Sequence, residues 1–228
     1  MKQILILTFL LSTLFGAVAQ DDVNDGRQVQ VRKIGSFDKV KASKGINVTL
    51  IEGEKESIEI HIKNANPDDV LTVLKSKMLT VKMRTKIQKG VAVQVYVTYK
   101  TIREIESTMG ASIDANNTIY ADKLVISAGS DASMHLDVDV NALDASVSAA
   151  RIEMSGKAGF QEVSANTGGK YYAFPLESKE VYAKASIGGQ VEVTTTEKIT
   201  ANGNSGGSVT YRGNPDKVLM KGKVSADE

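Results

Sequence analysis

The chain has 228 residues, of which 42% are hydrophobic and 24% charged, and this is the composition of an ordinary globular protein. Lys and Arg number 28 against 27 Asp and Glu, so the near-neutral chain has no general attraction for nucleic acid or for an anionic membrane, and we expect neither as a partner. The absence of Cys excludes thiolate catalysis, zinc-thiolate sites and disulfides, and with only two His, His61 and His135, we expect no cofactor.

The first 19 residues predict a cleavable secretory signal peptide. Lys2 supplies a positive start, residues 4–15 form an apolar core, and Ala17-Val18-Ala19 has the small-x-small pattern of a cleavage site. The apolar core is shorter than the roughly 20 residues that a membrane span needs, and no second long apolar run follows it. We therefore expect export to the periplasm, the cell surface or the extracellular space. The mature chain would have no transmembrane segment and a flexible N-terminus over residues 20–28.

Residues 29–103 are dominated by strand-like alternation. Apolar side chains occupy every second position in residues 58–62, 79–83 and 91–97, which is the pattern of half-buried strands. After Pro67, acidic residues followed by an apolar stripe and a Lys favour one short helix. We interpret residues 29–103 as the N-terminal cap and first turns of a single domain that covers residues 29–228.

From residue 104 to residue 215 the chain is rich in Gly, Ala and Ser and carries an internal repeat. One marker is a polar residue that follows a pair of small residues, and it recurs in steps of 18 to 21 residues at Ser112, Ser133, Arg151, Lys170, Gln190 and Ser208. A second, apolar marker recurs in steps of 18 to 20 residues at Ile105, Leu124, Leu143, Val163, Val181 and Ile199. Two markers with one period near 19 residues predict about six turns of a parallel β-helix, with residues 216–228 as its C-terminal end.

The small residues of the repeat are expected at the bends of the β-helix, where the backbone adopts positive φ or approaches a neighbouring turn closely. Val218, Leu219 and Met220 are expected to close the C-terminal end, and Pro215 suits the end of a sheet because it cannot donate a ladder hydrogen bond. An antiparallel sandwich of hairpins is the alternative fold. It would show Asn-Gly or Asp-Gly turns between its strands, and the sequence has only two such dipeptides, at residues 25–26 and 202–203.

Residues 36–50 carry a family resemblance, since the tripeptide Gly45-Ile46-Asn47 opens an extended run there. Followed by residues 79–83 and by the run from Val95 to Ile105, this order of segments resembles the secreted bacterial proteins called putative auto-transporter adhesins with a head GIN domain. The resemblance covers essentially the whole mature chain. It implies an all-β fold, a right-handed single-stranded parallel β-helix, and it carries no assigned catalytic residues.

We interpret Gly45, Ile46 and Asn47 as structural residues. Gly45 would adopt a backbone conformation closed to other residues, Ile46 would be buried, and the Asn47 side-chain amide would hydrogen-bond the backbone of a neighbouring turn. A ligand-binding role for Asn47 is the alternative.

The repeat brings four side chains together as a candidate ligand-binding face. Arg151 and Lys170 occupy equivalent positions in successive turns, about 5 Å apart, and Tyr172 and Gln190 flank them. Two neighbouring positive charges repel one another mildly, which favours an anionic partner such as a uronic acid or a sulfated sugar. A merely solvated surface is the alternative.

Asp137 and Asp139 are the nearest approach to a metal site in the sequence. The two carboxylates would lie on one face of a strand, about 7 Å apart, a separation compatible with a hard cation or with acid-base work. We interpret them as a solvated pair and predict no metal, because no ligand loop surrounds them. No Ser-His-acid set is indicated either, and we predict no catalytic residues.

These patterns predict an exported, non-enzymatic β-helical protein that serves as an adhesin or binding module at the cell envelope. Its partner would be carbohydrate or another envelope protein. A polysaccharide-active enzyme of the lyase type is one alternative, although the segments between the repeat markers are too short to build the walls of a catalytic groove. A structural component that assembles in the envelope is the other.

Overall fold

The computed structural model describes residues 27–85, 87 and 89–227. The predicted signal peptide, residues 1–19, therefore lies outside the described residues. Within them the chain forms β-strands almost throughout, with one three-residue 3-10 turn, Pro67–Asp69. No helix of this part of the chain is long and apolar enough to cross a membrane.

The strands are short in the N-terminal half and long in the repeat. The first nine are β1 (Arg27–Lys33), β2 (Lys39–Ser43), β3 (Asn47–Glu52), β4 (Ser57–Lys63), β5 (Val70–Lys75), β6 (Met78–Met83), β7 (Ala92–Tyr99), β8 (Glu104–Thr108) and β9 (Ser112–Ala115). The others are β10 (Ile119–Gly129), β11 (Ser133–Ser148), β12 (Arg151–Asn166), β13 (Lys170–Ala185), β14 (Gln190–Gly203), β15 (Ser208–Arg212), β16 (Lys217–Gly222) and β17 (Val224–Ala226).

Parallel pairing winds these strands into a two-walled β-solenoid, which confirms the predicted fold class. The front wall contains, side by side, β7, β3, β9, the first halves of β11 to β14, and β15. The back wall contains β6, β2, β8, the second halves of β10 to β14, and β16. Inward-pointing side chains such as Val48, Ile113 and Ile152 form a continuous apolar core between the walls. Burial of this apolar surface is the main force that holds the turns together.

One corner of each turn leads the chain from the back wall to the front wall through residues with positive φ. At the first such corner Lys44 and Gly45 have φ of 61° and 72°. Glycine suits the second position because it enters the left-handed region without a Cβ clash. The corners stack through backbone hydrogen bonds, as between the Gly45 N–H and the Met109 carbonyl at 2.9 Å. The small-residue pairs of the repeat therefore mark the corners of the solenoid.

The other corner lies inside the long strands, where the parity of the buried positions changes. In β11 the buried residues are even-numbered up to Val140 and odd-numbered from Leu143 onward. The same change occurs in β12 between Ala158 and Gln161. An extra residue at the bend lets one strand contribute to both walls with its apolar side still facing the core.

Antiparallel strands extend both walls at the N-terminal end. β1 pairs with β4 and β4 with β7 on the front wall, and β5 pairs with β6 on the back wall. The short helix expected after Pro67 is wrong beyond one turn, because residues 70–75 form β5 and satisfy their backbone groups against β6 in a hairpin. The N-terminus expected to be flexible up to residue 28 is already a strand at Arg27.

The C-terminal end leaves apolar side chains exposed. β16 pairs with β14 and β17 with β15, and no further strand pairs with their outer edges within the described residues. Val218, Leu219 and Met220 are 37%, 49% and 55% exposed. The expectation that these residues close the core is therefore wrong. β16 extends the back wall past the last full turn, and opposite it the front wall has only the three residues of β17.

The polar marker of the repeat is confirmed at every step. Its six residues each begin a strand and pair in register from one turn to the next, from Ser112 with Ser133 to Gln190 with Ser208. The apolar marker is only partly correct. Ile105 pairs with Ile126, Leu143 with Gln161, and Val163 with Ala183. All three errors are shifts of two residues, which leave the in-and-out alternation unchanged.

The second shift places a polar side chain inside the core. Gln161 is fully buried. Its Nε2 donates to the Tyr171 hydroxyl at 2.5 Å, and its Oε1 accepts from the Ser178 hydroxyl at 3.0 Å. Burial raises the pKa of Tyr171 well above its ordinary value, although the hydrogen bond from Gln161 acts against this rise. The three side chains satisfy one another, as buried polar groups must.

Candidate functional site

A row of polar side chains crosses the outer side of the front wall. It runs along the stacked corners that contain the positive-φ residues, where the front-wall strands begin. Its members lie on neighbouring strands and pair in register along the whole wall. This polar row consists of His61, Gln94, Asn47, Ser112, Ser133, Arg151, Lys170, Gln190 and Ser208. Since strand alternation turns the preceding and following residues inward, every member of the row faces away from the core.

The four predicted ligand-face residues come together here, three of them in the polar row and Tyr172 beside it. Arg151, Lys170 and Gln190 are consecutive register partners on β12, β13 and β14. Tyr172 lies two residues further along β13, and the Arg151 guanidinium carbon is 4.4 Å from the centre of its ring. The Tyr172 hydroxyl donates to Gln190 Oε1 at 3.3 Å. We call Arg151, Lys170, Tyr172 and Gln190 the basic cluster.

Neighbouring carboxylates modify the charge of the basic cluster. The Arg151 Nε forms an ion pair with Glu153 on the same strand, whereas Lys170 has no ion pair within the part of the chain that the structure describes. Glu192 is the register partner of Tyr172. Partial burial raises the pKa of Glu192, against the opposing effect of the nearby Arg212. The Lys170 ammonium group thus contributes the less compensated positive charge.

Two depressions border the basic cluster on the outer surface. One, of about 190 Å³, lies between His135, Glu153 and Tyr172. The other, of about 500 Å³, follows the stacked corners beside Ser133 and Lys170. Arg151 lines both, so its side chain lies between two adjacent hollows of the front wall.

The tripeptide Gly45-Ile46-Asn47 forms the first of the stacked corners. Gly45 has positive φ and Ile46 is fully buried. Asn47 begins β3 and stands in the polar row, where its Oδ1 accepts from the Ser112 hydroxyl at 2.8 Å. The Asn47 amide therefore contacts a side chain of the next turn, and not its backbone as expected.

Sequence reasoning missed three residues that the fold places beside Asn47. His61 of β4, together with Gln94 and Tyr96 of β7, lines a cavity of about 540 Å³ that also reaches Asn47. The alternation of these strands predicted that the three side chains face outward. The strand order β4–β7–β3, antiparallel between β4 and β7 and parallel between β7 and β3, brings them to Asn47 and leaves no signal in the repeat.

Asp137 and Asp139 both face outward, but hydrogen bonds engage the first of them. Asp137 accepts from the Thr118 hydroxyl at 2.5 Å and from the Ser155 hydroxyl at 2.8 Å, and so links neighbouring turns. Asp139 is the register partner of Lys157. No group of three or more His, Asp or Glu side chains suited to a metal ion is found among the described residues.

Comparison with known proteins identifies relatives of this sequence and fold. Residues 36–215 match the family described as "Putative auto-transporter adhesin, head GIN domain". No match is found among curated protein sequences.

Several solved structures have a similar fold. A putative adhesin from Bacteroides fragilis NCTC 9343 has a TM-score of 0.76 at 18% identity, over 88% of this chain and 94% of its own. A putative adhesin from Parabacteroides merdae ATCC 43184 has a TM-score of 0.68 at 20% identity, over 90% and 98%. A putative lipid binding protein from Parabacteroides distasonis ATCC 8503 has a TM-score of 0.66 at 15% identity, over 90% and 98%. At these identities the likeness concerns the fold.

Proposed function

The chain belongs to the head GIN domain family of putative auto-transporter adhesins, and from this premise we propose that it is an exported, non-enzymatic binding module that recognises acidic glycans. The binding surface is the outer side of the front wall, centred on the basic cluster. The location is the cell surface, the periplasm or the extracellular space, reached through the signal peptide proposed for residues 1–19.

The arrangement of the basic cluster is the observation that carries this proposal. Arg151 and Lys170 are neighbours on adjacent strands, where a carboxylate or sulfate between them would receive charge-assisted hydrogen bonds from both. Tyr172 stacks against the guanidinium and Gln190 accepts from the Tyr172 hydroxyl. These contacts hold the cluster in one geometry, which lowers the entropy lost on binding.

The shape of the wall favours binding over catalysis. The corners beside the cluster are tight turns, as at residues 167–169 and 187–189, and build no tall rim around it. An extended polymer can lie across such an open wall, whereas a catalytic site needs groups that enclose the reacting atoms and exclude water.

Assembly in the envelope is the second candidate function, because the exposed apolar strand β16 favours it. Val218, Leu219 and Met220 are solvent-exposed on a strand with an open edge, and open edges of this kind pair with other chains. A light-scattering mass above that of one chain for residues 20–228 would support this candidate.

A glycan array probed with residues 20–228 tests the main proposal. The informative variant is Arg151→Ala/Lys170→Ala, and Lys184→Ala/Lys221→Ala is the matched control, because it removes two positive charges from the back wall. Hydrogen bonds to charged groups contribute about 1.5–3 kcal/mol each, so the first variant is expected to lose at least roughly tenfold in binding to uronate-bearing or sulfated glycans. The control is expected to bind like the wild type.

Equal binding by the two double variants would contradict the proposed site. Release of unsaturated sugars from uronate polymers by the wild type would contradict the non-enzymatic function and show that the protein is a lyase.

A further inference from the structure

The cavity beside the first corner is built from three adjacent strands of the front wall. Asn47 comes from β3, His61 from β4, and Gln94 and Tyr96 from β7. We call this cavity of about 540 Å³ the corner pocket. The corner pocket reaches Gly45 and Asn47 of the family tripeptide.

Hydrogen bonds fix the polar side chains of the corner pocket in defined orientations. Asn47 Oδ1 accepts from Ser112, which leaves the Asn47 NH₂ group as a donor. Gln94 Nε2 donates to the Thr49 hydroxyl at 2.9 Å, which leaves Gln94 Oε1 as an acceptor. Asn47 and Gln94 are register partners, so a fixed donor and a fixed acceptor stand one strand apart. Such a pair matches neighbouring oxygen groups on a sugar ring.

Two aromatic rings form one side of the corner pocket. His61 and Tyr96 pack edge to face with their centroids 5.1 Å apart. Glu59 holds the His61 Nε2 at 2.5 Å, which fixes the imidazole orientation. Aromatic rings beside a few fixed polar groups are a usual composition of a small-molecule site.

Two basic residues belong to the lining of the corner pocket. Arg27 and Lys63 line it, and each of them is already engaged in a contact of its own. No Asp or Glu is among the described residues that line the pocket. Arg27 and Lys63 thus bring two formal positive charges to the lining, and the Glu59 carboxylate stands behind His61. The acidic class of the ligand follows from the basic cluster, to which the polar row leads.

The polar row connects the corner pocket to the basic cluster. Ser112, Ser133 and Arg151 separate Asn47 from Lys170 in the row. These four interstrand steps of about 4.8 Å correspond to about 19 Å. Between Asn47 and Arg151 the intervening side chains are the two serine hydroxyls, which present hydrogen-bonding groups and no bulk to a chain lying across the strands.

We propose that the corner pocket holds the terminal uronic acid of an acidic oligosaccharide, whose following residues run along the polar row to the basic cluster. This inference rests on the proposed function. It assigns the ligand a direction, across the strands, and a minimum length, since only an oligosaccharide reaches both ends.

NMR titration of the ¹⁵N-labelled protein, residues 20–228, tests this assignment, because both ends carry side-chain amides. The probes are galacturonic acid and oligogalacturonides of increasing length. Galacturonic acid is expected to shift the Asn47 and Gln94 side-chain signals alone. Longer oligomers are expected also to shift Gln190, and their affinity is expected to rise at least tenfold once both ends are occupied.

Gln94→Glu supplies the matched perturbation, because it keeps the side-chain size and places a negative charge in the corner pocket. Ser146→Glu on the back wall is the charge control. Gln94→Glu is expected to abolish the signal shifts caused by galacturonic acid and to lower the affinity for long oligomers about tenfold. Ser146→Glu is expected to change neither.

The outcomes separate this inference from the proposed function. Shifts at Gln190 without shifts at Asn47 and Gln94, at any oligomer length, would overturn the corner pocket and leave the basic cluster as the binding site. Absence of shifts at both ends would overturn the corner pocket as a uronate site, and the array with Arg151→Ala/Lys170→Ala then decides the proposed function independently.

Discussion

Replacement of Gln161 by Leu is expected to destabilise the solenoid even though the new side chain is apolar and similar in size. Gln161 satisfies two buried hydroxyls, those of Tyr171 and Ser178. Leu would leave both without a partner in a core from which water is excluded. A buried polar group that loses its partner costs about 1–3 kcal/mol.

The apolar burial of Leu offsets part of this cost, so the net loss in the free energy of unfolding is expected to be about 2–4 kcal/mol. For a domain of this size the loss corresponds to a fall in Tm of roughly 4–16 °C. Urea denaturation followed by circular dichroism measures it, with an unchanged m-value as the sign that the folded and unfolded states are otherwise alike.

Two further variants make the measurement specific. Gln190→Leu is the matched control, because it makes the same exchange at an exposed position and is expected to change stability by less than about 0.5 kcal/mol. Adding Tyr171→Phe to Gln161→Leu removes one of the stranded hydroxyls and is expected to recover about 1 kcal/mol. A Gln161→Leu variant as stable as the wild type would refute the argument that this polar cluster is needed in the core.

Three other predictions concern the pH dependence, the corners and the open edge. Because the folded state raises the pKa of Tyr171 above its unfolded value near 10, stability is expected to fall as the pH rises above about 10, and urea denaturation should show a smaller fall in Tyr171→Phe. A Cβ at Gly189 would lie 2.2 Å from the Ala165 carbonyl oxygen, so Gly189→Ala is expected to lower the free energy of unfolding, measured by thermal denaturation, by about 3 kcal/mol. Gly110→Ala, where positive φ is the sole penalty, is expected to lower it by about 1–2 kcal/mol, and equal losses in the two variants would contradict the clash. Leu219→Lys is expected to leave Tm unchanged and to reduce self-association measured by light scattering at high concentration. Unchanged self-association would show that β16 is not the surface through which copies of the chain associate.

The basic cluster followed from the sequence because the corner is a local feature. A residue with positive φ, a small residue and then a polar residue recur at each corner, and the polar residue always begins a front-wall strand. Once the corners are aligned, Arg151, Lys170 and Gln190 must be neighbours, since successive turns of a solenoid stack strand on strand.

The corner pocket did not follow from the sequence because long-range strand order creates it. His61 and Gln94 lie in strands outside the repeat. Only the pairing of β7 with β3, and of β4 with β7, places them next to Asn47. Alternation says which way each side chain faces, but it does not say which strand lies beside it.

The sequence by itself determined the all-β solenoid, its period and the face on which each strand residue lies, because alternation and turn chemistry act between near neighbours in the chain. The tertiary structure decided the registers. A shift of two residues keeps every apolar side chain inside, so the pattern could not tell Val163 from Gln161 as the partner of Leu143. In the folded protein the partner of Leu143 is Gln161, because Tyr171 and Ser178 supply the hydrogen bonds that a buried amide needs.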